Sequence, residues 1–127
     1  MEARKIIITG GATRVGAAIA EKLSGPNVEI TIHYNKSKSK AENLKNKLEK
    51  SGTKIYLVSG DLSKEKDIYK IIKFSKSKMK FFDCLVNNAS LFENDKLDNF
   101  TSKSWEKHIS TNLKAPALLS KEFSKNI

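Results

Sequence analysis

The feature that most constrains this chain is its alternation of short apolar runs with segments of helical spacing. Residues 4–9 (RKIIIT), 28–34 (VEITIHY), 54–59 (KIYLVS) and 81–87 (FFDCLVN) have the length and apolar content of buried strands. Between them lie helical patterns. Ala17, Ala18, Ala20 and Leu23 recur over residues 14–24, with Gly25 and Pro26 as a stop. Ala41, Leu44 and Leu48 share a face over 40–50, with Gly52 following, and Ile68, Ile71 and Ile72 mark 64–78. A longer helix is expected from about Ser102 to near the end. Strand and helix in strict turn predict an α/β domain: a doubly wound parallel sheet with helices on both faces and strand order 3-2-1-4. With 127 residues, 39% apolar and 30% charged, the chain is one globular domain with no internal boundary.

Other classes of function fall away on composition. No apolar run reaches the roughly 18 residues of a membrane span. The opening MEARKIII lacks the hydrophobic stretch of a signal peptide. Cys84 has no partner for a disulfide and is expected to be core packing in a reducing, cytoplasmic setting. The net charge of +10 comes almost wholly from lysines on polar helix faces, since Arg4 and Arg14 are the only arginines. Without arginine forks or interleaved aromatics, a nucleic acid is not the expected partner. No cluster of metal ligands stands out, and no membrane partner is expected.

Chemistry concentrates in TGGATRVG, residues 9–16, where the first strand feeds the first helix. Glycines there leave backbone N–H groups free at a helix N-terminus, where the dipole favours a phosphate. The motif departs from G-x-G-x-x-G by carrying Arg14, so alone it is weak. A second segment sharpens it. About 20 residues on, a site for NAD would place a carboxylate at the end of the second strand. Here the chain reads HYNKSKSK, and the nearest acid, Glu29, belongs to the strand's start. Tyr34, Asn35, Lys36 and Ser37 suit an extra phosphate instead, such as the 2′-phosphate of NADP(H), and Arg14 can converge on it bidentately.

With GDL at 60–62, VNNAS at 86–90 and TNLKAPALLS at 111–120, these segments make the chain resemble the N-terminal half of a short-chain dehydrogenase/reductase. The resemblance covers essentially the whole chain and implies a Rossmann-type NADP-binding domain over residues 1–127. It further implies that Gly10, Arg14, Val15 and Gly16 form the cofactor turn, that Asp61 and Leu62 touch the adenine, and that Asn88 and Ala89 line the cofactor. Arg14, the HYNKS segment and Ser90 are most similar to pteridine-reductase-like members. That likeness implies that Ser90 faces the nicotinamide, and that the substrate is a carbonyl or a pteridine. Asn112 matches the family's catalytic asparagine, whose carbonyl holds a water of the proton relay. Pro116, four residues later, lacks the N–H that carbonyl would use, so the helix is expected to bend there.

The same resemblance places a catalytic serine and a tyrosine–lysine pair beyond the asparagine, whereas this sequence runs to Ile127. Two Y-x-x-x-K spacings occur, Tyr34 to Lys38 and Tyr69 to Lys73. Neither belongs beside the nicotinamide in this fold. His33 is assigned to the 2′-phosphate region and His108 to the polar side of the last helix. The expectation is a half-fold that binds cofactor without catalysing alone. A non-catalytic nucleotide-binding remnant or interaction module is the alternative. The fourth strand should be an open apolar edge, and Leu113, Ala117, Leu118 and Phe123 should lack a partner face, which homo-oligomerisation through the last helix would cover.

Overall fold

Three consecutive isoleucines set the layering. Successive strand side chains point to opposite faces, so Ile6 and Ile8 enter one apolar cluster and Ile7 the other. The computed structural model describes residues 3–126. Its strands are β1 (Arg4–Ile8), β2 (Val28–Tyr34), β3 (Lys54–Ser59) and β4 (Cys84–Val86). They form one parallel sheet in the order β3-β2-β1-β4, as the alternation predicts.

Helices α1 (Arg14–Leu23) and α2 (Lys38–Glu49) cover one face, where Ala20, Ala41, Leu44 and Leu48 meet Ile30, Ile32 and Ile55. Helix α3 (Glu65–Met79) covers the other with Ile68, Ile71, Ile72 and Met79. Each such side chain taken fully out of water contributes about 2 kcal/mol.

The C-terminal region departs from the sequence reading in three ways. First, β4 spans three residues rather than seven. Phe82 leaves the strand line to stack on Phe123 at 5.4 Å, and beyond Val86 the backbone turns back, Asn88 N–H donating to the Val86 carbonyl at 3.1 Å.

Second, the last helix changes register just before Pro116. Helix α4 (Ser102–Ile109) widens into a π-helical turn (Ser110–Lys114) and continues as α5 (Ala115–Ser124), with Pro116 in its first turn. Ala115 N–H reaches back five residues to the Ser110 carbonyl. Proline has no N–H to donate to a preceding carbonyl, and the widened turn lies immediately before it.

Third, Leu118 and Phe123 do have a partner face. They pack with buried Ala115 and Leu119 against the α3 cluster. Leu113 and Ala117 stay exposed, as do Trp105 and Ile109 of α4. The fourth strand is an edge of the sheet, as expected. No helix among the described residues is long and apolar enough to cross a membrane.

Candidate functional site

Where the sheet order reverses, between β1 and β4, the strand ends open into a cleft of about 1190 Å³. Open α/β sheets place their ligands at such a switch point. Its floor is the glycine turn, and the turn is tied down by named groups. Gly10 has φ +61°, which glycine adopts without strain. A Cβ built on Gly16 would lie 2.1 Å from the Gly10 carbonyl oxygen, so the helix can approach the turn only with glycine there. Gly16 is buried beneath the turn and does not line the cleft. Its role is to let the turn close.

The fourth strand locks the turn from the other side. The Asn88 side-chain amide donates to the Thr9 and Gly10 carbonyls, each at 3.2 Å. The Thr9 hydroxyl, itself buried, accepts from the backbone N–H groups of Asn88 and Ala89 at 3.1 Å. Asn88 and Ala89 line the cleft, yet Asn88 spends its polar end on the turn rather than facing outward.

Helix α1 begins here without a side-chain cap on Thr13 and without an acidic residue in its first turn. Its first intrahelical bond runs from Ala17 N–H to the Thr13 carbonyl, leaving the first-turn amides free of the helix ladder. Arg14, exposed in the cleft wall, holds φ +50°, a left-handed conformation that costs a non-glycine residue about 1–2 kcal/mol. Val15 beside it is also exposed to the cleft. Tyr34, Asn35, Lys36 and Ser37, at the end of β2, line the same cleft, as do Asp61 and Leu62 after β3 and Ser90 after β4.

Asp61 accepts from the Ser63 hydroxyl at 2.7 Å and amide at 2.9 Å, and these donors hold its carboxyl below the usual range.

Asn112 stands apart from the cleft wall, where Thr111 is the lining residue. Its side chain grips the backbone of Leu91 at both ends, Oδ1 accepting from the amide at 2.7 Å and Nδ2 donating to the carbonyl at 2.8 Å. Pro116 still offers its carbonyl no donor in an α register.

Two histidines turn out to be braces. His33, expected near a phosphate, is 2% exposed and hydrogen-bonded to backbone at both ring nitrogens. It sits at the base of the cleft, with both ring nitrogens engaged by the turns on either side. His108 accepts the Glu93 N–H at 3.1 Å and so pins the segment after β4 to α4.

Sequence reading also missed the outer wall of the cleft, where Lys40, Asn43 and Lys47 of α2 stand. Their spacing of three and four places them on one face of α2, a signal present in the sequence. Among the described residues no group of acidic, histidine or cysteine side chains could hold a metal ion.

Comparison with known proteins agrees with this geometry. The family model for short chain dehydrogenases matches residues 4–127. The chain is 30% identical over 113 residues to the short-chain dehydrogenase/reductase FrzI of a Cladobotryum species, covering 89% of this chain and 44% of that protein. It is 27% identical over 111 residues to the 3-oxoacyl-[acyl-carrier-protein] reductase FabG of Staphylococcus epidermidis, covering 87% and 46%. Among solved structures, FolM alternative dihydrofolate reductase 1 of Brucella canis, complexed with NADP, superposes with a TM-score of 0.87 at 32% identity over 98% of this chain and 50% of that one. The chain thus spans less than half the length of the curated relatives it matches. Fold, glycine turn and family match together establish that the chain belongs to the short-chain dehydrogenase family.

Proposed function

We propose that this chain is the cofactor-binding half of an NADP(H)-dependent oxidoreductase. The observation that carries the reading is the cleft wall at the end of β2: Lys36 with Asn35 and Ser37, Arg14 opposite, and no carboxylate at the strand end. A 2′-phosphate needs cations there, whereas a bare ribose diol is held by an acid. The glycine turn, which Gly10 and Gly16 allow to close, and the uncapped start of α1 fit a pyrophosphate. The likeness to FolM, solved with NADP, supports the same cofactor.

When bound, the nicotinamide supplies hydride transfer. The residues of this chain bind and orient it. Arg14 and Lys36 hold the phosphate end, Asp61 and Leu62 border the adenine, and Ala89 and Ser90 lie toward the nicotinamide. Asn112 fixes Leu91, next to Ser90, and its carbonyl, to which Pro116 offers no α-helical donor, would accept from a water of the proton relay. A carbonyl or a pteridine is the substrate class, supported by relatives named as a 3-oxoacyl reductase and an alternative dihydrofolate reductase. Self-association through exposed Trp105, Ile109 and Leu113 completes the proposal.

Titrating the purified chain with NADPH and NADH tests it. NADPH should bind at least about tenfold tighter, the 1.4 kcal/mol of one good charge-assisted contact. Equal affinities, or no binding by a folded chain, would overturn the cofactor assignment.

A second reading is a nucleotide-binding module without catalysis, whose cleft would hold the nucleotide and transfer no hydride. NADPH binding by the native full-length protein with no turnover of any carbonyl or pteridine would favour it.

A further inference from the structure

His33 is a buried imidazole that the proposed chemistry does not use, and it touches both turns at the base of the cleft. Nδ1 accepts the Gly10 N–H at 3.0 Å, and Nε2 lies 2.8 Å from the Gly60 carbonyl. A carbonyl only accepts and an amide N–H only donates, so both contacts are satisfied by one form of the ring: neutral, with the proton on Nε2. The His33 carbonyl also takes the Gly11 N–H at 3.0 Å. One residue of β2 thereby holds two successive amides of the glycine turn and, through Gly60, the start of the Asp61–Leu62 turn.

We propose that His33 is a positioning residue for the nucleotide cleft, its neutral ring spanning the glycine turn and the Gly60 turn so that a proton on Nδ1 opens the turn and weakens binding of a phosphorylated nucleotide. This rests on the nucleotide reading above. A protonated Nδ1 would point an N–H at the Gly10 N–H, two donors with no acceptor between them in a site that excludes water.

The charged groups facing the ring are Asp67 and Lys70 of α3 and Asp61 of the turn after β3. From β3 its register partner is apolar Val58, and the glycine turn contributes amides. Asp67 is already engaged, accepting the Asp61 N–H at 2.8 Å. Burial pushes the imidazole below its usual value of 6.5, against the opposing pull of the Gly60 carbonyl and Asp67. The brace is therefore intact at neutral pH and fails on the acid side.

The test compares NADPH affinity at about pH 7.5 and pH 5.5, either side of the ordinary imidazole range, for the wild-type chain and His33→Asn. Asparagine Oδ1 can accept from Gly10 and takes no proton. The 2′-phosphate titrates in the same range but is common to both proteins. On acidification the wild type should lose more affinity than His33→Asn, by less than about tenfold at pH 5.5 because burial holds the imidazole below 6.5. Parallel profiles would overturn the role of His33 alone. A folded wild type that binds no NADPH at pH 7.5 would overturn the nucleotide reading beneath it.

A second measurement needs neither variant nor cofactor. Nitrogen NMR of the ligand-free chain should show the Nε2–H tautomer, with the Gly10 amide signal moving through the same midpoint as the ring. An Nδ1–H tautomer, or a Gly10 amide unmoved through that titration, would overturn the proposal.

Discussion

The two sides of the cleft are held in different ways. The glycine turn is fixed by buried Thr9 and His33 and by the paired bonds of half-buried Asn88. Among the described residues no buried side-chain nitrogen or oxygen lacks a partner. Past cleft-lining Leu91, residues 92–101 are exposed throughout, Phe92 at 82% and Leu97 at 92%, and the stretch from Leu91 is held by Asn112 and His108. A polar contact in low dielectric is costly to lose, whereas one at the surface is readily replaced by water. The first side is preorganised for an anion. The second is free to adapt.

The largest effect that would break this contrast is expected at Gly16. Its Cβ would meet backbone oxygen at 2.1 Å and the Asn88 amide at 2.6 Å, and neither neighbour is a flexible chain end. Gly16→Ala should cost about 3 kcal/mol in urea unfolding and abolish NADPH binding. An unchanged midpoint would show that the turn is softer than described.

Arg14→Gly sharpens the comparison because its two consequences have opposite signs. Relieving φ +50° should stabilise the fold by about 1 kcal/mol, while NADPH affinity drops about tenfold and NADH affinity holds. If thermal melting shows no gain, the left-handed conformation is not strained.

On the adaptive side, Asn112→Ala should cost about 1 kcal/mol or less while speeding hydrogen exchange at Leu91 and Glu93. Unchanged exchange there would show that the segment is held by something else.

Acid titration distinguishes the sides as well. His33 has a lowered value, so the unfolded chain binds more protons, and stability should fall as the pH drops below 6.5. Asp61, lowered from 3.8, adds its loss only below that value. Chemical denaturation across pH 7.5 to 3 should show the first decline vanish in His33→Asn. The smallest effect is expected for the exposed pair Lys107–Glu93 at 3.4 Å, where Lys107→Ala should change stability by about 0.5 kcal/mol or less.

Much of the preorganised side is legible in the sequence. The three isoleucines before a glycine turn announce a buried strand feeding a helix, and the missing carboxylate after β2 shows in the letters HYNKS. What escapes is tertiary. His33 reads as one more polar residue at a strand end, because nothing local says that β1 and β3 flank it on both sides. The apolar residues of 81–87 fit a long strand, but Phe82 is claimed by Phe123, 41 positions away in the chain. Leu118 and Phe123 read as a free face for the same reason, since their partner helix α3 lies earlier in the chain.

The π-helical turn before Pro116 also sets phase. An α-helix advances about 100° per residue, so one extra residue in a turn rotates everything before it relative to everything after. In this chain His108 ahead of the turn and Asn112 within it address the segment beyond β4, while Ala115 and Leu119 behind it address the core. A regular helix would have to misaim one of these sets. The turn works as an offset coupling: one continuous rod delivers two facings, and deleting a single residue between Ser110 and Lys114 would bring the core-facing and segment-facing sides into conflict.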